Sequence, residues 1–321
     1  MISKLLLVAS LALSLAAPAD AASGWPDKPV RLIVPFTAGG TTDLLGRLVA
    51  DGLGKEMGQS VVVVNKGGAG GSLGAAEVAR SEPDGYTLLL GTPGTQVINA
   101  LVYKNIGYDS QKDLTPVAYI AQVPNVVLTN PSTGIKTMED LLRVARSKPG
   151  ELHWGSPGVG STAHMVLELI RRTGKVDIGH VPYKGASQAN SDLLGGQIEL
   201  SGDNLPTALP FIKSGKLVAL GVTAKEAVPV LQGVKPIGAT LPGFELTSWF
   251  VLMAPKGTRP ETIATLNGAV ERVLRTPHMR EQLSKIGATP VGGTPDALAH
   301  HLEAERTKYR QLIQGAGIRP E

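Results

Sequence analysis

Cysteine is absent from the whole chain, which excludes disulfides, thiolate nucleophiles and cysteine-metal sites together. Aromatic residues make up only 4% of the 321 residues, too few for the stacking surfaces that bind nucleic acid. Basic residues are scattered, and Arg171-Arg172 is the one adjacent pair, so nucleic acid is not an expected partner. No H-E-x-x-H pair occurs, and Gly174-Lys175 runs into Val176 without the glycine-rich lead of a Walker loop. The histidines His153, His164, His180, His278, His300 and His301 follow no metal-ligand spacing. No catalytic residue, metal site or cofactor is therefore expected. Beyond the leader, no apolar run approaches the roughly 18 residues that a membrane span needs.

What is present begins with that leader. Lys4 supplies a short positive start, an apolar segment follows over 5–17, and Ala19-Asp20-Ala21 forms a small-x-small cleavage pattern. Residues 1–21 read as a bacterial secretory signal peptide, cut after Ala21. The mature chain is expected in the periplasm as a monomer, and it is long enough to bury a core without disulfides. Leader removal takes one cation, Lys4, and one anion, Asp20, so the net charge stays at +4. A mildly basic protein suits small anionic ligands through long-range steering.

The pattern is organised around 29–53. An apolar run, Val30 to Val34, breaks at Pro35 and crosses a loop of small and hydroxyl residues. Apolar positions then recur at helical spacing at Leu44, Leu45, Leu48, Val49 and Leu53. This predicts strand, loop and helix, with Thr41 or Thr42 as N-cap and Asp43 in the first turn. The same order repeats with strands at 60–64 and 86–90 and a helix through 75–80. A long extended stretch at 116–131, interrupted by Pro124, reads as a crossing into a second lobe. There, helices at 137–147, 165–172 and 187–194 alternate with strands at 153–155, 178–183, 198–201 and 217–223. Residues 247–255 echo the first crossing and return the chain to helices at 260–275, 279–286 and 295–314. Continuous apolar strands alternating with helices predict parallel sheets covered on both faces. The expected fold is α/β: two parallel-type sheets in two lobes, joined by two crossing strands as a hinged clamp. Lobe 1 comprises 22–123 and 248–321, and lobe 2 comprises 124–247.

In open α/β sheets, ligands sit beyond the carboxyl edges of the strands. The first such loop is Phe36-Thr37-Ala38-Gly39-Gly40-Thr41-Thr42-Asp43. Its glycines allow close backbone approach, and the partial positive charge of a helix start favours an anion. A plain tight turn is the alternative. In the second lobe, Gly158-Val159-Gly160-Ser161-Thr162-Ala163 formally matches the dinucleotide fingerprint. The acidic partner of that fingerprint is missing, because Asp177 comes early and at the start of its strand. An anion site with hydroxyls from Ser156, Ser161 and Thr162 is the better reading.

Other residues remain open at this point. His164 either points at the ligand or holds structure, and Tyr183 either lines the cleft or packs outside it. Asp203, beside Asn204, either meets the ligand or braces its loop. Trp249 and Phe250 are core or cleft floor, and Lys66 either offsets ligand charge or is solvated. Neither principal loop contains arginine, so no bidentate carboxylate clamp is available. Amides, hydroxyls and ordered water are left as the partners of a carboxylate.

The motifs VPFTAGGTTD, NKGGAGG, PDGYTLLLGT, GSPGVGSTAHM, HVPYKG, DLLGGQIEL, DNLP, LPGFE, SWF-x-L-x-AP and the terminal GAGIRPE together resemble one family along the whole mature chain. That family is the Bug receptors, the substrate-binding proteins of tripartite tricarboxylate transporters. The resemblance implies a two-lobed periplasmic binding protein of the type II-like clamp class, not an enzyme. It implies a small carboxylate ligand, held partly through water, and delivery to a membrane permease with one large and one small subunit. Carried over by position, the ligand-facing residues are Phe36 to Asp43, Thr92 and Thr95, Ser156 to His164, Asp203 and Asn204. The chain departs from the common pattern at Lys66-Gly67, where arginine and proline are usual. It departs again at Glu226-Ala227 and in the KPIGA segment, both away from the cleft loops. The rival readings are a receptor of an ATP-driven importer and an exported enzyme using His164 and Asp203.

Overall fold

The computed structural model describes residues 24–316 and 318. The leader and most of the GAGIRPE terminus lie outside the described residues. The chain opens with β1 (Val30–Val34), α1 (Thr41–Met57), β2 (Val61–Asn65), α2 (Ser72–Ala79) and β3 (Thr87–Gly91). β1 runs parallel between β2 and β3, with Leu32 opposite Val63 on one side and Leu88 on the other. Helices cover both faces, so Leu32, Ile33, Leu88 and Leu89 are all buried and the strands read as unbroken apolar runs. A π-helical turn, Gly94–Ile98, leads into α3 (Asn99–Val102) and then β4 (Leu114–Thr129).

The second half contains α4 (Met138–Ser147), β5 (His153–Ser156), α5 (Thr162–Gly174), β6 (Gly179–Pro182) and α6 (Ala186–Leu194). It continues with β7 (Leu200–Asn204), α7 (Leu205–Lys213) and β8 (Val218–Val222). The chain then returns through β9 (Thr247–Pro255), α8 (Pro260–Arg275), α9 (Pro277–Lys285), β10 (Thr289–Pro290) and α10 (Pro295–Ala316).

β4 belongs to both sheets. Its first part, from Leu114 to Pro124, pairs antiparallel with β9, and its last part, Asn125 to Thr129, pairs with β7 and β8. Within each half the outer strands are parallel: β2, β1 and β3 in one, β6, β5 and β7 in the other. The sheets are mixed only where the crossing strands join them. β4 leaves the first half and β9 returns to it, so the two must run in opposite directions.

The expected cap of α1 needs correction. Gly40 is the N-cap, with extended backbone and no side-chain bond, and Thr41 and Thr42 already lie inside the helix. Asp43 takes the capping role from within the first turn, its Oδ2 accepting from Gly39 N at 3.0 Å. In α4 the expectation holds, since Thr137 Oγ1 accepts from Asp140 N at 3.1 Å.

Three apolar clusters fill the molecule. One lies between the first sheet and α1, α8 and α9, around Leu32, Val49, Ile263 and Val270. A smaller one packs α7 on the second sheet around Val126, Leu128, Leu205 and Leu209. The largest runs unbroken from Ile33 and Leu89 through Trp249 to Trp154 and Leu167, and takes in Tyr309 and Ile313 of α10. Trp249 Nε1 donates to Glu305 Oε2 at 2.8 Å, fixing α10 against β9. Among the described residues, no helix is long and apolar enough to cross a membrane.

Candidate functional site

A cavity lies where the carboxyl ends of β1, β3, β5 and β7 face one another. Its lining comes from both halves: Phe36, Gly40, Thr41 and Thr42 with Thr92 on one side, Ser161, Thr162 and Ala163 with Asp203 and Asn204 on the other. The floor is Asn125, Ser248 and Phe250 on the crossing strands, and Pro93, Gly94, Pro157 and Ala186 complete the wall.

Helix starts supply its electrostatics. The first intrahelical bond of α1 is Leu44 N to Gly40 O, at 3.0 Å, so the amides of Thr41 and Thr42 have no partner within the helix. At α5 the Ser161 hydroxyl caps the helix by accepting from His164 N at 3.2 Å, while Met165 N bonds Ser161 O. That leaves the amides of Thr162 and Ala163, and the Ser161 proton, for the cavity. α7 starts at Asn204, whose side-chain oxygen is buried without a hydrogen-bond partner among the described residues. Three helices thus present their positive ends, and among the described residues no lysine, arginine or histidine lines the cavity.

The remaining expected residues stand behind this lining. Asp43 accepts from Gly39 N, Asn65 Nδ2 at 3.0 Å and Arg47 Nε at 3.1 Å. Burial raises its pKa, but Arg47, the Gly39 amide and Asn65 more than offset that and hold the carboxyl below its usual range. Thr95 closes the turn after β3, its Oγ1 accepting from Thr92 N at 3.0 Å. Ser156 Oγ lies 2.7 Å from His180 Nε2 and also bonds within the turn at Gly158. His164 stacks on His180 with ring centres 4.3 Å apart, and its Nδ1 accepts from Gly160 N at 3.3 Å. Tyr183 is directed away, donating to Asp192 Oδ2 at 2.6 Å. Lys66 pairs with Glu77 at 3.1 Å. Thr37, Ala38, Gly39 and Gly160 lie along the seam between the lobes.

Asp203 braces its loop from the cavity wall. It lines the cavity, yet accepts from Asn190 Nδ2 at 2.7 Å, Thr207 Oγ1 at 2.8 Å and Asn204 N at 2.7 Å. Burial pushes its pKa up to about 6 against these bonds. Asn125 and Ser248, bonded at 3.0 Å, were not anticipated. The available signal was weak, an amide and a hydroxyl in largely apolar crossing strands that also carry Gln122 and Thr247.

The match to known proteins decides the family. A model described as "Tripartite tricarboxylate transporter family receptor" matches residues 45–318, most of the chain. The chain belongs to this receptor family. Among curated relatives, the receptor is similar to Protein BugT of Bordetella pertussis, at 36% identity over 310 residues, covering 95% of this chain and 94% of that one. A solved structure described as R. palustris Rpa4515 with adipate shares 41% identity at a TM-score of 0.90, covering 92% of this chain and 100% of that one. MatC from Rhodopseudomonas palustris, with bound malate, shares 32% at a TM-score of 0.86, covering 90% and 100%. The receptor fold is therefore that of a two-lobed solute-binding protein, and its family is one of solute receptors.

Proposed function

We propose that the chain is a periplasmic receptor that captures a small carboxylate between its lobes and delivers it to a tripartite tricarboxylate-type permease with large and small subunits. The carrying observation is the convergence of three helix N-termini and several hydroxyls on one slot that no cationic side chain lines. One carboxylate sits between the starts of α1 and α5, bonded by the amides of Thr41, Thr42, Thr162 and Ala163 and by the hydroxyls of Thr92 and Ser161. Asn204, Asn125 and Ser248 meet the rest of the ligand. The relatives solved with adipate and malate support a short aliphatic acid. Asp43, Thr95, Ser156, His164 and Tyr183 act from behind as braces.

Export with loss of residues 1–21, a monomeric receptor, and lobes of 22–123 with 248–321 and 124–247 belong to the same proposal. The change of strand partners at Pro124 and Asn125 supports that division. An enzymatic role finds no support, since Asp203 is held by three donors and His164 stacks on His180 behind the loop.

The test is thermal unfolding of the mature protein with short mono- and dicarboxylates, each paired with its amide. A ligand at 100 times its Kd stabilises by about 2.7 kcal/mol, so the matching acid raises Tm while its amide does not. Equal shifts with acid and amide, or none with any acid, would overturn the carboxylate assignment.

A further inference from the structure

Glycines line the seam where the two lobes touch. Gly185, just before α6, has extended backbone (φ 177) that any residue adopts. A Cβ built there would collide with the Thr37 hydroxyl and stand 3.3 Å from Thr37 Cβ, and the three nearest atoms all belong to Thr37 of the opposite lobe. Thr37 Oγ1 is buried with no hydrogen-bond partner among the described residues, so it fills this seat by packing. On the other side of the cavity, a Cβ at Gly94 would stand 3.0 Å from Gly160 O. A Cβ at Gly70 would collide with Val159 O, whose other neighbour is the Tyr103 hydroxyl at 3.0 Å. The polar contacts across the seam are few, with Thr41 Oγ1 2.9 Å from Thr207 Oγ1 and Ser187 Oγ donating to Ala38 O at 3.2 Å.

We infer that Gly185 and Gly94 are closure seats: positions kept free of a side chain so that the backbones of the two lobes can meet and the clamp can shut. This rests on the clamp reading of the fold but not on the identity of the ligand. The NKGGAGG loop acquires a role by the same argument. Its Gly70 serves the seam, and its lysine is occupied by Glu77, so the loop shapes closure rather than contacting ligand. The seats are positioning residues, and they act by admitting the opposite lobe.

The molecule offers its own gauge of closure. A Cβ at Gly40 would stand 3.8 Å from Cβ of Ala186 across the seam, about the Cβ separation of a disulfide. Gly40 has φ −88 and ψ 171, which cysteine adopts freely, and the chain has no native thiol to compete. In the Gly40→Cys/Ala186→Cys protein, the rate of disulfide formation without ligand, with a fixed excess of oxidised glutathione as the oxidant, reports how often the seam shuts. Adding Gly185→Ala is expected to slow that rate about tenfold, equivalent to about 1.4 kcal/mol against closure. Adding Thr37→Ala as well restores it, which a misfolded lobe would not allow. Gly94→Ala, distant from the crosslink, slows it similarly. An unchanged rate in Gly185→Ala or Gly94→Ala, no rescue by Thr37→Ala, or no crosslink in the parent pair overturns the inference. Failure of the carboxylate assignment shows instead in the thermal series, so the two are separable.

Discussion

Two titratable groups, half-buried His180 and buried Asp203, lie near the 158–163 loop of the second lobe, and burial moves them in opposite senses. It lowers the His180 imidazole to about 3, with His164 and Arg171 adding to the effect and Glu168 opposing it. It raises the Asp203 carboxyl to about 6. Neutral His180 therefore contributes stability that is present above its unfolded pKa near 6.5 and lost as pH falls toward 3. Asp203 contributes stability that is present below 3.8 and lost as pH rises through 6. Denaturant titrations between pH 4 and 7 are expected to show both slopes. His180→Gln gains relative to wild type as pH falls, and Asp203→Asn gains as pH rises, by up to about 3 kcal/mol at 1.36 kcal/mol per unit. Parallel curves for wild type and both variants would refute the assignment. At this scale the sequence was least informative. Thr92 lines the cavity while Thr95 locks the turn, and Ser161 faces inward while Ser156 bonds His180. Composition cannot separate such pairs, because the left-handed backbone at Gly158 and Gly160 sets which hydroxyl points where.

Helix starts differ in what they serve, and this gives a paired prediction. Ser161→Ala and Thr137→Ala each remove an N-cap acceptor and are expected to cost about 1 kcal/mol of stability. Only Ser161→Ala also weakens ligand binding, by about tenfold, since the other cap lies at α4 outside the cavity. Calorimetry against the ligand found in the thermal series checks this, and equal affinities for the two variants would remove Ser161 from the site. Elements themselves were legible. Unbroken apolar runs such as Leu88 to Leu90 mark strands covered on both faces, and helical spacing marks α1 and α8 within a residue or two. The start of α1 was misplaced because a glycine can begin a helix when an acid in the first turn, here Asp43, satisfies the free amide of Gly39.

The whole molecule is two-lobed yet held as one body. β4 is hydrogen-bonded in both sheets, and the largest apolar cluster passes between the lobes beneath α10. Equilibrium unfolding is therefore expected as one transition, with calorimetric and van't Hoff enthalpies in agreement. Two resolved transitions would mean that the lobes are independent folding units. The clamp was legible from the two extended crossings, whereas the seam was not. Which glycine meets which backbone depends on contacts between segments far apart in the chain, such as Thr37 and Gly185.

Peptide dipoles supply the cavity's positive ends, against the Asp203 carboxylate in its wall, and this bears on how such a receptor diversifies. A dipole of the main chain cannot be deleted by a codon change, and it carries no proton to lose. The lining threonines, serines and asparagines are thus released from neutralising charge and are free to vary with the tail of the ligand. Relatives solved with acids as different as adipate and malate are what such a division of labour produces. On the proposed reading, the fold supplies the grip on the anion, and selectivity for the remainder falls to the lining side chains.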